Sequence, residues 1–256
     1  MGITIAPAGS RTMPPEARAF VGLVIGLGVW VAVAAGLPTR DPRFWYWAAA
    51  CAVGEMLWLR LPLGRATMSM GSTANFAALL VLPTPLAIPA ATLGSFAIER
   101  TFMRKPLIRA LFNAAGTALA MGASGLVLKL IAPAGVLALR DARLLLPLVA
   151  AAATYYAINR SLVTSVLALD GALPLSLVWR RNFGWNQDLL PCGAALSLGI
   201  LLAEFHQNVG PVALVFVLLP ALVVFRTHRQ RYTASASLVE RRRFEREPKK
   251  QAVNES

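Results

Sequence analysis

Residues 19–37 read AFVGLVIGLGVWVAVAAGL, without a single charge. A helix needs about 20 consecutive apolar residues to cross the hydrocarbon of a bilayer, because backbone N–H and C=O groups cannot be left unpaired there. This stretch has that length. Outward from it, apolar runs occupy 44–63, 106–131, 142–169, 187–205 and 211–225. Two shorter runs, 68–82 and 86–98, are divided by Pro83-Thr84-Pro85 and fit either two thin spans or a re-entrant hairpin. The expected fold class is all-α: a polytopic transmembrane helix bundle of about eight spans, or six plus the hairpin. Residues 1–18 form a leader, 19–226 the transmembrane domain and 227–256 a basic tail.

Composition agrees with this expectation. The 256 residues are 57% hydrophobic and 14% charged, with a mean hydropathy of +0.59, against roughly a quarter charged in soluble domains. Lys and Arg exceed Asp and Glu by 13. Beside apolar spans such an excess reports orientation, so nucleic acid is excluded as a partner and the lipid bilayer is expected. With the tail cytoplasmic, Arg11, Arg18, Arg60, Arg65, Arg100, Arg104, Lys105, Arg109, Arg180, Arg181 and nine tail cations fall inside, while Arg40, Arg43, Lys129, Arg140 and Arg143 fall outside. Both termini are therefore expected on the cytoplasmic side of a bacterial inner membrane. Ala32-Val33-Ala34 mimics a signal-peptide cleavage site, but the apolar run is too long and its leader is not a compact basic region, so an uncleaved anchor is expected.

Two His and two Cys leave no raw material for a zinc, haem or iron–sulfur site, so no metal and no cofactor is expected. Cys51 and Cys192 fall at different depths and read as packing residues. No catalytic residue is assigned, because the two intramembrane carboxylates have no evident nucleophile or metal beside them.

The polar residues inside the spans are the candidate site. An ionisable group at a helix centre costs about 2.5–3.5 kcal/mol on insertion scales and normally faces the bundle interior, paired. Glu55, Glu99 and Arg160 fall in the cytoplasmic halves of their spans, and Ser69, Asn75 and Asn113 reach the same depth. Residues three or four apart share a helix face, which makes stripes of Thr92, Ser95 and Glu99, of Asn113, Thr117 and Ser124, and of Tyr156, Arg160 and Thr164, with Asn159 on the adjoining face. Arg160 is expected to pair with Glu55 or Glu99. Such a pair serves either to fix helix register or to hold a ligand, and sequence leaves both open.

Residues 173–185, LPLSLVWRRNFGW, are too short and too charged to span, and fit an interfacial helix carrying Trp179, Arg180, Arg181 and Trp185. From Arg226 to Ser256, nine Lys and Arg accompany four Asp and Glu, and Ser237 to Glu247 has the composition of a short helix with Ser237 and Glu240 as a capping box. Gly22 and Gly26 are spaced for close helix packing, and self-association of the chain is left open. His206 reads as a solvated loop residue.

The segments LPLGRATMSMGSTANFAALLVLPTPLAIPAATLGSF, RALFNAAGTAL, YYAINRSLV, VWRRNFGWNQDLLP and LLPALVV, spread from Leu61 to Val224, carry a resemblance. They resemble the N-terminal membrane-spanning region of bacterial cyclic-di-GMP signalling proteins, which precedes HD-GYP phosphohydrolase or diguanylate cyclase domains. The matching positions are Arg109, Phe112, Asn113, Asn159, Trp179 and Trp185. The resemblance implies a sensory or anchoring membrane domain with a cytoplasmic output. The sequence departs from that pattern after Tyr232, where no HD dipeptide or acidic metal cluster follows. The expected function is thus a stand-alone membrane sensor or anchor subunit that signals to a separate cytoplasmic protein through its tail. The alternative is a small-molecule carrier or the substrate-binding membrane subunit of an importer.

Overall fold

Prolines mark where most of the helices begin. In the computed structural model, which describes residues 13–36, 40–60, 67–132, 142–182, 189–220 and 222–223, α1 (Pro15–Ala35) and α2 (Pro42–Met56) carry proline in the first turn, where its missing N–H costs nothing. The same holds for α4 (Thr84–Thr101) and α8 (Leu190–Val209), and Pro106 is the N-cap of α5 (Leu107–Ile131). Asp41 caps α2 by accepting the Arg43 N–H at 2.8 Å. Between these lie α3 (Gly71–Val81), α6 (Leu145–Gly171) entered through a 3₁₀ turn, and α7 (Leu175–Asn182). Residues 212–220 are also helical. Gly36 and Gly210, at φ of +94° and +78°, end α1 and α8 in a conformation that other residues adopt only with strain.

The described residues are helical apart from one ribbon, in which β1 (Trp58–Arg60) pairs antiparallel with β2 (Thr67–Ser69). That ribbon differs from the expected span over 44–63. The helix stops at Met56, and the Leu57 carbonyl accepts the Met70 N–H at 3.0 Å instead. Continuing it to Leu63 would put Pro62 in a helix interior, where its ring clashes with the preceding turn. The expected span 187–205 likewise shifts to Leu190–Val209, starting where Pro191 fits the first turn.

Two helices, Pro15–Ala35 and Leu107–Ile131, are long and apolar enough to cross a membrane. They run side by side in the same direction, with Gly28 against Ala115 and Val31 near Gly122. The next helix, α6, returns antiparallel to α5, placing Leu162 near Gly116 and letting the Ser124 hydroxyl donate to the Ala151 carbonyl at 3.0 Å. On the other flank α4 also opposes α5, from Thr84 beside Gly125 to Glu99 beside Asn113. Short α3 lies along α8, where the Thr73 hydroxyl donates to the Ala195 carbonyl at 2.8 Å.

Close crossings need small residues, and the interior is built from them. Gly94 sits on the backbone of Ala48 and Ala52, Gly199 on that of Thr73, and Gly54 on that of Met70. Much of the buried surface belongs to alanine, including Ala77, Ala78, Ala87, Ala90, Ala118 and Ala151. Trp47, Phe44, Phe76 and Tyr155 fill the remaining interior, while other large apolar side chains point outward: Trp30 is 68% exposed, Leu130 71%, Leu146 70% and Phe216 63%. Gly22 and Gly26 have nothing within 4 Å, so in α1 the glycine that makes the close approach is Gly28.

Candidate functional site

Three groups of polar side chains lie between the helices. In the first, Glu55 near the C-terminal end of α2 accepts the Ser95 hydroxyl of α4 at 3.3 Å, and its carboxylate lies directly over Gly71 at the start of α3. A Cβ at Gly71 would meet the Glu55 carboxylate, so a larger residue there would make that side chain swing aside. One turn further along α3, fully buried Asn75 donates from Nδ2 to the Tyr155 hydroxyl of α6 at 3.4 Å. Its Oδ1 is buried without a described partner.

Glu99 anchors the second group. It is 5% exposed, yet it accepts two hydrogen bonds from Asn113 Nδ2, at 2.8 and 2.9 Å, and one from Lys105 Nζ at 2.5 Å. The backbone makes the ion pair possible. After α4 the chain turns at Arg104, whose φ is +52°, and the Lys105 N–H bonds back to the Glu99 carbonyl at 2.9 Å. The same lysine therefore closes the helix end and neutralises its buried carboxylate.

The third group joins α6 to α7. The Arg160 guanidinium lies over the Tyr156 ring, 5.9 Å from its centroid, and the Trp179 ring meets Tyr156 edge-on at 6.3 Å. Helix α7 folds back on α6 through Pro174 with Val178 buried, while Arg180 stays exposed. Arg160 thus has an aromatic face beside it, and the cation at Glu99 is Lys105.

Of the remaining candidates, Asn159 is half-buried on α6, Ser69 ends β2 opposite Trp58, and Arg181 belongs to α7. Trp185 and the tail helix expected at 237–247 lie outside the described residues. His206, expected in a solvated loop, is buried on α8 because that helix runs to Val209; its ring stacks on Tyr46 at 6.0 Å and contacts Trp47. At that same end, hydrogen bonds from Arg43 hold the Asp41 carboxyl below the usual carboxylate range. Cys51 and Cys192 are both buried and not joined in a disulfide.

Among the described residues no three His, Cys, Asp or Glu side chains gather as a metal site. The chain finds no match among family models, curated proteins or solved structures.

Proposed function

We propose that the chain is a multi-pass protein of a bacterial cytoplasmic membrane, a sensor or anchor subunit that passes a change in its polar interior to a separate cytoplasmic partner. The large apolar side chains left on the outside support the membrane half of this reading. In water, Trp30, Leu130, Leu146 and Phe216 on the outside would be a large liability, and alanine inside a poor source of burial. In lipid, helices associate through close van der Waals contact at small residues, and large apolar groups face the acyl chains. Helix directions support alternating crossings: α1, α3, α5 and α8 run one way and α2, α4 and α6 the other. The turn at Thr84 lies beside Gly125, about 27 Å along α5 at 1.5 Å per residue. That depth favours a hairpin reaching the far side, hence eight crossings with both termini cytoplasmic.

The observation that carries the signalling half is the Tyr156 ring placed between Arg160 and Trp179. It ties a charged side chain of the bundle to α7, so a shift of α6 moves α7. The test is co-purification from native membranes in mild detergent. We expect one cytoplasmic protein to accompany the full chain, to be lost on removing residues 233–256, and to be weakened by Trp179→Ala.

A carrier is the second reading, favoured by α3. That helix is 11 residues, about 16 Å, almost entirely buried, and bounded by Pro83. Broken half-helices of this kind line substrate sites in transporters. Solute uptake that disappears with Glu55→Ala, or a transport ATPase that co-purifies in place of a signalling partner, would establish the carrier.

A further inference from the structure

A cleft of about 380 Å³ opens between α1, α5 and α6, walled by Val21, Phe112, Val163 and Val166 and edged by Lys105, Arg109 and Asp170. Its charges are unusual in their pairing. Lys105 is already matched by Glu99. Among the described residues, neither Arg109 nor Asp170 has an ion-pair partner, and they do not pair with each other. One uncompensated cation and one uncompensated anion therefore rim an apolar wall.

The helix ends repeat that arrangement. At the start of α5 there is no side-chain cap and no acidic residue in the first turn, so the partial positive charge of its free N–H groups is left beside Arg109. The end of α6 has no basic residue in its last turn; the Ala172 and Leu173 N–H groups take the Ala168 and Leu169 carbonyls, and the negative pole of the helix lies beside Asp170. Because the two helices pack antiparallel, these opposite poles are neighbours on one rim.

We propose that this cleft holds one phospholipid with a zwitterionic phosphate–ammonium headgroup, of the phosphatidylethanolamine type. Its phosphate lies at Arg109 and the N-terminus of α5, its ammonium at Asp170 and the C-terminus of α6. An acyl chain follows the Val21, Phe112 and Val166 wall. An anionic lipid without an ammonium would satisfy Arg109 and leave Asp170 facing a like charge. The proposal rests on the membrane reading above and deepens it.

Native mass spectrometry of the full chain, released from mixed micelles containing phosphatidylethanolamine or phosphatidylglycerol with identical acyl chains, tests it. One phosphatidylethanolamine should be retained per chain, preferred over phosphatidylglycerol by about tenfold, the factor that one ion contact of 1.4 kcal/mol confers. Asp170→Asn should erase the preference. Arg109→Gln should weaken both lipids, and Arg109→Lys should restore part of the binding. Both positions are exposed, so a melting curve shows whether a variant is folded; if one is not, the wild-type preference decides. Equal retention of the two lipids, or an unchanged preference in Asp170→Asn, would overturn the proposal. Displacement by soluble phosphoethanolamine at equal concentration would overturn the lipid source. A chain recovered in the soluble fraction would overturn the membrane reading itself, whereas a membrane-bound chain without lipid preference would overturn this site alone.

Discussion

Glu99 is the buried charge that ties the end of α4 to the turn at Lys105 and the start of α5. Its carboxylate accepts two hydrogen bonds from Asn113 and one from the Lys105 ammonium. Removing one partner of a fully buried pair costs about 3–5 kcal/mol. The Lys105 side chain is 34% exposed and Asn113 would remain, so Lys105→Ala should cost less, roughly 2 kcal/mol. Glu99→Gln should cost less again, since no unpaired buried charge results. Urea or thermal unfolding in detergent measures both, and the double variant should fall well short of the summed losses. Sequence identified Glu99 and Asn113 because depth and spacing are legible in it. Lys105 looked like an ordinary loop cation, because its place beside Glu99 depends on Arg104 adopting a left-handed turn that arginine does not advertise. The four-residue spacing of Tyr156 and Arg160 on one helix face was legible, whereas the edge-on contact of Trp179 with Tyr156 was not, because it depends on how α7 folds back on α6.

At the scale of elements, crossings are set by where the backbone comes close. Gly94 touches the backbone of Ala48 and Ala52, which cannot move aside as a flexible side chain can. Gly94→Ala should therefore open the α2–α4 contact and cost about 1–3 kcal/mol. Gly22→Ala, with nothing within 4 Å, should be neutral or stabilising by up to about 1 kcal/mol through helix propensity. Melting temperatures of the two variants in one detergent check the contrast. Hydrophobic runs located the helices because length and polarity are local properties. Small-residue spacing named Gly22 and Gly26 where Gly28 makes the contact, because which face of α1 meets α5 is decided by the partner's shape. The end of α2 at Met56 was similarly invisible to hydropathy: an apolar ribbon and an apolar helix have the same composition.

For the whole molecule, the large apolar residues left outside and the small residues at the helix crossings are what the proposed membrane location accounts for. The proposed eight-crossing topology puts Arg40 and the Arg104 turn on opposite sides of the bilayer. Both native cysteines are buried, so single cysteines introduced elsewhere report cleanly. The decisive measurement is labelling of Arg40→Cys and Arg104→Cys with a membrane-impermeant maleimide, in intact spheroplasts and in inverted vesicles. We expect Arg40→Cys to react only in spheroplasts and Arg104→Cys only in inverted vesicles. Reaction of both from the same side, or recovery of the chain in the soluble fraction, would contradict the membrane-spanning bundle.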